Sequence, residues 1–175
     1  MTIKSKVRTV PHYPKQGIMF RDITTVLKDP IGLRATIDEL VRRYKDMKID
    51  KIAAIESRGF IIGTPLAYAL GVGFVPIRKK GKLPAETIGH DYALEYGTDR
   101  IEIHTDAISK GEKILLVDDL IATGGTAEAA VILIEKMGGK IVECCFMIDL
   151  PGIGGRGRLE KRGHKVFALC EFEGD

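Results

Sequence analysis

One stretch, residues 114–126 (ILLVDDLIATGGT), constrains the fold more than any other part of the chain. Its four leading apolar residues show no polar alternation, which is typical of a strand buried on both faces of a parallel sheet. Asp118 and Asp119 follow at the predicted carboxyl end of that strand, where open α/β sheets bind their ligands. Gly124 and Gly125 let backbone amides approach an anion, and the next predicted helix offers its positive N-terminal end. The stretch therefore predicts a site for a phosphorylated sugar.

The side chains of the same stretch suit that ligand. Backbone amides of residues 122–126, with the hydroxyls of Thr123 and Thr126, are predicted to hold a phosphate monoester. Asp118 and Asp119 only accept hydrogen bonds when ionised, so they suit a ribose diol. They would also stabilise positive charge that develops on the sugar ring. The alternative interpretation is structural: two acids at a strand end that cap the next helix.

Two other nucleotide motifs are considered and set aside. Residues 152–157 match the dinucleotide pattern GxGxxG after a predicted strand. Only about six helical residues follow, and the chain ends where a second strand and a ribose-binding acid should come. Residues 123–126 have no lysine beside the final threonine, so they do not form a nucleotide-triphosphate loop of the Walker type. Neither a dinucleotide site nor triphosphate hydrolysis is predicted.

Composition sets broader limits. A chain of 175 residues predicts one domain, and 45% hydrophobic with 29% charged residues is ordinary for a soluble globular protein. A net charge of +3 is too small to indicate a nucleic-acid partner. No apolar run reaches the length of a membrane span, and residues 1–10 lack the apolar core of a signal peptide, so a cytoplasmic protein is expected. The three cysteines form no CxxC pair and the four histidines are scattered, so no zinc site is predicted.

The order of elements predicts a fold class. Helical and buried-strand patterns alternate, which is typical of βαβ crossovers and an open parallel sheet flanked by helices, an α/β architecture of Rossmann-like type. Asp29 and Pro30 have the residue types of a helix N-cap and first helical position. The predicted strands and helices are 29–45 (helix), 51–55 (strand), 60–70 (helix), 73–77 (strand), 114–117 (strand), 127–137 (helix), 141–148 (strand), a short helix within 154–163, and 165–170 (strand).

Two regions break this alternation. Residues 1–28 show no strong period and are interpreted as an extended flap. Residues 79–90 are polar and aperiodic, which predicts a long loop of the kind that often forms a lid. Residues 92–96 and 100–104 alternate around a Gly-containing turn and predict a hairpin at the base of that lid.

The central stretch resembles the PRPP-binding motif of the type I phosphoribosyltransferases: four apolar residues, two acids, a spacer and TGGT. Nearly the whole chain is similar to the adenine phosphoribosyltransferase branch of that family. The matching segments are a flap (FRDIT, 20–24), a pyrophosphate loop (ESRGF, 56–60), a lid (RKKGKLP, 78–84) and a hairpin (LEYG, 94–97). The resemblance implies the type I phosphoribosyltransferase fold as a single domain over residues 1–175, with an N-terminal hood over 1–28 and a lid loop and hairpin over 79–104.

The activity that the resemblance implies is purine salvage in the cytoplasm. The 5-phosphoribosyl group of PRPP would pass to adenine, giving AMP and pyrophosphate. Mg²⁺ would be the cofactor, carried by PRPP and pyrophosphate and not by protein ligands. A homodimer is implied, with no nucleic-acid or membrane partner. The family also carries a cis peptide that falls here between Glu56 and Ser57.

The resemblance also implies a role for each matching residue. Glu95 would be the catalytic base, and Lys82 would come from the neighbouring subunit. Phe20 and Leu150 would sandwich the base, whose edge would be read by backbone groups around Met19 and Arg21. The implied sets are Asp118 and Asp119 for the ribose; Ala122, Thr123, Gly124, Gly125 and Thr126 for the 5′-phosphate; Ser57, Arg58, Lys79 and Lys82 for pyrophosphate; and Met19, Phe20, Arg21 and Leu150 for adenine.

Two alternatives stay open. One is the same reaction with a 6-oxopurine such as hypoxanthine or xanthine, which would require a side-chain donor near the base. No obvious lysine stands beside Leu150 to supply it. The other is a non-catalytic regulator that senses PRPP or a purine, although residues 1–10 are too short for a DNA-binding extension.

Overall fold

The structure, a computed structural model, describes residues 2–174. Its strands are β1 (Arg8–Pro11), β2 (Met19–Asp22), β3 (Lys51–Ile55), β4 (Gly73–Lys79), β5 (Thr87–Ala93), β6 (Thr98–His104), β7 (Lys113–Ile121), β8 (Lys140–Asp149) and β9 (Val166–Glu171). Its helices are α1 (Ile3–Lys6), α2 (Thr24–Leu27), α3 (Pro30–Tyr44), α4 (Arg58–Leu70), α5 (Gly125–Lys136) and α6 (Gly155–Lys161), with a 3₁₀ turn at Pro151–Ile153. Within residues 2–174 no helix has both the length and the apolar character needed to cross a membrane.

The described strands form one large sheet and one small hairpin. The large sheet has seven strands in the order β5-β6-β4-β3-β7-β8-β9. The pairs from β4 to β9 are parallel, whereas β6 runs antiparallel to both of its neighbours. This arrangement confirms the predicted α/β fold with an open, mostly parallel sheet.

Strand β7 shows why the sequence folds in this way. Its residues point alternately to the two faces of the sheet, and both faces are covered. Ile114 and Leu116 pack into one apolar core with α5, whereas Leu115 and Val117 pack into a second core that includes residues of α3 and α4. An uninterrupted apolar run is therefore required, because alternating polar residues would bury polar side chains in one of the two apolar cores.

The predicted bounds of α3 and the predicted end of α4 are confirmed, whereas α4 begins at Arg58, two residues before its predicted start. The Asp29 side chain accepts a hydrogen bond from the Ile31 amide at 3.1 Å, and Pro30 occupies the first helical position. Helix α4 ends at Gly71, whose φ of 69° lies in the left-handed region that favours glycine.

Strand β7 is longer than predicted. The apolar run ends at residue 117, which predicted the end of the strand there. In the structure β7 continues through both acids to Ile121, since parallel pairing with β8 extends along the whole segment, with Asp118 opposite Phe146 and Ile121 opposite Asp149. Hydrogen bonding to a neighbouring strand, which local hydropathy cannot report, sets this boundary.

The two irregular regions contain more regular structure than predicted. The loop predicted over 79–90 and the hairpin predicted over 92–96 and 100–104 are wrong in their boundaries, because β5 begins at Thr87 and pairs with β6. Strand β5 lies at the sheet edge, so its polar residues remain partly exposed and give no apolar signal. The N-terminal region contains α1, α2 and an antiparallel β1–β2 hairpin, which places Phe20 opposite Val10.

Candidate active site

A cavity of about 260 Å³ lies at the carboxyl edge of the sheet, where β3 and β7 end. It contains most of the residues that the sequence predicted for the sugar phosphate and the pyrophosphate. The wall is formed by Ile55, Glu56, Ser57, Arg58, Lys79, Asp118, Asp119, Leu120, Ile121, Ala122, Thr123, Gly124, Gly125, Thr126 and Ala127.

Two helices begin at this cavity. Helix α4 starts at Arg58, directly after the cis peptide between Glu56 and Ser57. Helix α5 starts at Gly125, after Gly124 with a φ of 82°. The first amides of a helix have no partner within the helix, and its N-terminal end carries partial positive charge. The cavity therefore offers two anion-binding ends.

Two carboxylates lie between those helix ends. Asp119 is 7% exposed and accepts a hydrogen bond from Arg58 Nε at 2.5 Å. The Asp118 Oδ1 atom accepts one from the Asp119 amide at 2.8 Å. Burial, reinforced by the neighbouring Asp119 carboxylate, holds the pKa of Asp118 well above its ordinary value. Desolvation lowers the pKa of Arg58, but the hydrogen bond and charge of Asp119 outweigh it, so that pKa is raised overall and the guanidinium stays charged.

Gly59 allows the start of α4 to approach these acids. A Cβ atom at this position would lie 2.9 Å from Asp118 Oδ1 and 3.2 Å from the Val117 carbonyl oxygen. This role was not predicted from the sequence. The available signal was a glycine in the first turn of a helix, because glycine lowers helix stability and is usually kept there for close packing.

Lys79 reaches the cavity from the end of β4. Its ammonium donates hydrogen bonds to the Asp99 carboxylate and, at 2.9 Å, to the Tyr92 hydroxyl. Its amide donates to Glu56 Oε1 at 2.5 Å. Desolvation lowers the pKa of Lys79, but its pairing with Asp99 and Tyr92 raises it overall. Asp99 and Tyr92, which sequence reasoning did not single out, therefore hold this cation at the cavity wall.

The hood places Phe20 next to the cavity. The guanidinium carbon of Arg58 lies 5.9 Å from the centroid of the Phe20 ring, and Tyr13 packs edge-on against that ring at 5.3 Å between centroids. The Arg21 side chain points elsewhere, since it donates to Thr9 Oγ1 at 2.6 Å and stacks over Phe172.

Six predicted residues lie outside the cavity wall: Met19, Phe20 and Arg21 in the hood, and also Leu150, Lys82 and Glu95. Leu150 is 6% exposed and packs into an apolar core, although its amide donates to the carbonyl of the wall residue Ile121 at 3.1 Å. Lys82 is exposed in the loop after β4, and Glu95 is exposed in the turn between β5 and β6. That turn begins above the cavity, because the Ala93 carbonyl oxygen lies 3.8 Å from the position of a Cβ built on Gly125.

Comparison with known proteins identifies the class to which this chain belongs. A family model described as a phosphoribosyl transferase domain matches residues 23–172. A protein of Nitrosospira multiformis named adenine phosphoribosyltransferase is 75% identical over 175 residues, with both chains covered completely. A protein of the same name from Nitrosomonas europaea is 67% identical, with 99% of each chain covered.

Solved structures agree. The adenine phosphoribosyltransferase of Thermoanaerobacter pseudethanolicus superposes with a TM-score of 0.93 at 49% identity, covering 97% of this chain and 98% of that one. The Saccharomyces cerevisiae enzyme, solved in complex with an imino-altritol bisphosphate and adenine, superposes with a TM-score of 0.90 at 41% identity, covering 96% of each chain.

These matches cover the fold and the cavity together, and the chain belongs to the phosphoribosyltransferase family, a family of pentosyl-transferring enzymes. Within that family it falls among the adenine phosphoribosyltransferases.

Proposed function

We propose that this protein transfers the 5-phosphoribosyl group of PRPP to adenine and releases AMP and pyrophosphate. One observation carries the proposal: two helix N-termini and a pair of adjacent carboxylates meet in one cavity. PRPP has the matching pattern, a monoester and a diphosphate separated by a ribose diol. The relatives named adenine phosphoribosyltransferase, and the yeast structure that holds adenine, support the choice of acceptor.

Each end of the cavity would hold one end of PRPP. Residues 122–126, at the start of α5, bind the 5′-phosphate through backbone amides and the hydroxyls of Thr123 and Thr126. Asp118 and Asp119 accept hydrogen bonds from the ribose hydroxyls. Ser57, Arg58 and Lys79 bind the pyrophosphate, joined by Lys82 from a second subunit. PRPP would compete with Asp119 for Arg58 and with Asp99 for Lys79, because both cations are paired in the structure.

Adenine would lie against Phe20. Stacking of a base on an aromatic ring contributes about 1–3 kcal/mol. The base edge is read by backbone groups around Met19 and Arg21, and the diverted side chain of Arg21 supports this. Leu150 closes the opposite face of the base, which requires a small opening of the core next to Ile121 because Leu150 is buried.

The reaction needs few groups. The bond from the anomeric carbon to pyrophosphate breaks with its electron pair on the departing oxygen, leaving oxocarbenium character that Asp118 and Asp119 stabilise. N9 of adenine attacks the anomeric carbon, and Glu95 takes the N9 proton, a contribution of about 10²–10⁴-fold for a well-placed base. Movement of the β5–β6 turn would bring Glu95 to the base and exclude water from the cationic sugar.

The residues present fit a magnesium ion that arrives with the substrate. Among residues 2–174 no group of three or more His, Cys, Asp or Glu could cage a metal ion, whereas the two cavity carboxylates suit an ion that also takes substrate oxygens and water. When bound, Mg²⁺ would neutralise charge on the diphosphate. Asp118 and Asp119 would help to hold, through their charge, the ion that PRPP and pyrophosphate carry.

The same proposal covers assembly and location. The exposed position of Lys82 outside the cavity supports a homodimer in which this lysine acts on the partner's site. Helix α4 also exposes Ile61 and Tyr68, which are 46% and 90% accessible and lie on one face of the helix, two turns apart. We place the protein in the cytoplasm as a single phosphoribosyltransferase domain over 1–175 that acts on small molecules. Light scattering at micromolar concentration would test the dimer.

A purine panel tests the function. Purified protein is mixed with PRPP, Mg²⁺ and adenine, hypoxanthine, xanthine or guanine, and nucleotide formation is followed by absorbance. AMP and stoichiometric pyrophosphate from adenine are expected, with no dependence on added nucleic acid. Turnover of a 6-oxopurine in preference to adenine would contradict the choice of base. No turnover with any purine, together with PRPP binding, would indicate the regulator.

A further inference from the structure

The glycine-rich segment after β8 has no role in the site as described so far. It contains the GxGxxG match that does not predict a dinucleotide site, and it leads into α6. Helix α6 packs directly against residues 122–126, here called the phosphate loop. We infer that Gly155 and Arg158 position the phosphate loop, and this inference rests on the proposed role of that loop in binding the 5′-phosphate of PRPP.

Gly155 meets the phosphate loop backbone to backbone. Its amide donates to the Ala122 carbonyl oxygen at 2.9 Å. A Cβ at position 155 would lie 2.5 Å from that oxygen and 2.8 Å from the Gly124 nitrogen. A Cβ at Gly124 would in turn lie 2.9 Å from the Gly155 Cα. Since backbone atoms cannot rotate away as a side chain can, any residue other than glycine at 155 must displace the loop.

Arg158 contacts helix α5, which begins within the phosphate loop. Its Nε donates to Glu128 Oε2 at 2.8 Å and a second guanidinium nitrogen to Oε1 at 3.4 Å. Glu128 lies in the first turn of α5. A guanidinium nitrogen of Arg158 also lies 3.6 Å from the position of a Cβ on Gly125. The pair therefore ties α6 to the helix end that faces the phosphate.

Helix α6 is itself fixed to the sheet. Between Gly155 and Arg158, the Arg156 Nε donates to Asp149 Oδ2 at 2.7 Å, and another guanidinium nitrogen donates to the Val166 carbonyl at 3.0 Å. Asp149 is fully buried at the end of β8. Because α6 is anchored to β8 and β9, its contacts hold the phosphate loop at a fixed position relative to the sheet.

Gly157 supplies a matched control. It lies on α6 two residues after Gly155, but a Cβ there would meet nothing within 4 Å. Replacement of either glycine by alanine gives the same gain in helix propensity, so any difference between Gly155→Ala and Gly157→Ala reports the contact with the phosphate loop. For the charged contact, Arg162 serves similarly, since it pairs with Glu135 near the other end of α5.

The test measures binding of ribose 5-phosphate and of pyrophosphate by titration calorimetry. Gly155→Ala should weaken ribose 5-phosphate by about tenfold to a hundredfold, the effect of an ångström-scale displacement, and leave pyrophosphate unchanged. Arg158→Gln should weaken it about two- to fivefold, as expected for a partly exposed ion pair. Gly157→Ala and Arg162→Gln should match the parent. In turnover, the KM for PRPP should rise with the KM for adenine unchanged.

The outcomes separate this inference from the proposed function. A parent protein that does not bind ribose 5-phosphate overturns the proposed phosphate role. A parent that binds it, with Gly155→Ala equal to Gly157→Ala, overturns only the positioning role. If Gly155→Ala does not fold, Arg158→Gln decides: equality with Arg162→Gln overturns the inference. Equal loss of ribose 5-phosphate and pyrophosphate binding would indicate general damage to the fold, and also overturns it.

Discussion

The two sides of the proposed site differ in how far their residues are already buried and paired with one another. On the phosphate side, residues 118–126 belong to a central strand and a helix start, and Asp119 already pairs with Arg58. On the base side, Glu95 lies exposed in a turn, and Phe20 belongs to a small hairpin outside the main sheet. Lys15 of the hood lies over the Tyr96 ring of that turn, with its ammonium 5.1 Å from the ring centroid, in a surface interaction.

The two sides are therefore expected to contribute differently to binding and to catalysis. In the proposed mechanism the phosphate side holds the charged groups of PRPP in a fixed geometry, and moving a buried carboxylate costs free energy, so we expect this side to be rigid. The base side is proposed to open for adenine and to close over it, which excludes water. Substitutions on the phosphate side should therefore change stability as well as kinetics, whereas those on the base side should change kinetics alone.

The largest effect is expected at Glu95. Glu95→Gln should lower kcat by about 10²–10⁴-fold, because the proton on the attacking nitrogen loses its acceptor. Stability should change by less than about 0.5 kcal/mol, since the side chain is exposed. Steady-state kinetics and thermal unfolding measure the two quantities, with exposed Glu86→Gln as control. Unchanged turnover would remove Glu95 from the mechanism.

A somewhat smaller kinetic effect is expected at Asp119. Asp119→Asn should lower kcat/KM for PRPP by about 10²–10³-fold, because one of the two charges that stabilise the cationic sugar is lost. Unlike Glu95→Gln, it should also alter the unfolding temperature, since its partner Arg58 loses a hydrogen-bonded carboxylate. The exposed acid Asp46 gives the control, Asp46→Asn. A loss of less than tenfold would place the ribose elsewhere.

Phe20→Ala should act on the base alone. Loss of a stacking surface worth about 1–3 kcal/mol predicts a rise in the KM for adenine of roughly fivefold to 150-fold, with little change in the affinity for PRPP. Ile18→Ala, a truncation of an exposed apolar neighbour in the same hood, should leave both constants unchanged. If the two variants behave alike, Phe20 does not contact the base.

The smallest effect concerns stability at Asp118. The pKa of Asp118 is raised in the folded state. Between the ordinary aspartate pKa and this raised pKa, the folded state therefore binds more protons than the unfolded state. The free energy of unfolding consequently falls as the pH rises through that window. Asp118→Asn should therefore raise Tm near neutral pH, by about 2–4 °C for each kcal/mol recovered, while activity drops.

The pH profile sharpens this test. The gap in Tm between Asp118→Asn and the parent should narrow as the pH falls from the raised pKa towards the ordinary aspartate value, because the parent carboxyl takes up its proton in that window. Scanning fluorimetry of the parent, Asp118→Asn and exposed Asp38→Asn supplies the measurement. A gap that widens on acidification would reverse the assigned direction of the pKa.

Much of the fold could be predicted from local patterns. The apolar run of β7 required a strand with two covered faces, and Asp29 with Pro30 marked the start of α3 because a helix end has fixed chemical needs. Strand β5 was missed over most of its length, because an edge strand with partly exposed residues carries no apolar signal. The same limit applied to the hood, whose short elements are held by pairing of β1 with β2.

The proposed phosphate side could be predicted from local sequence, because carboxylates, glycines and threonines of one continuous segment carry both the chemistry and the turn that presents it. Which distant residues support that segment depends on how the chain folds. Gly59 reaches Asp118 and Gly155 reaches Ala122 across 59 and 33 positions of chain. The place of Gly59 in the first turn of a helix indicated close packing, but the local sequence names the contact partner of neither glycine. Close packing of two backbones creates the requirement, and packing exists only once the chain has folded.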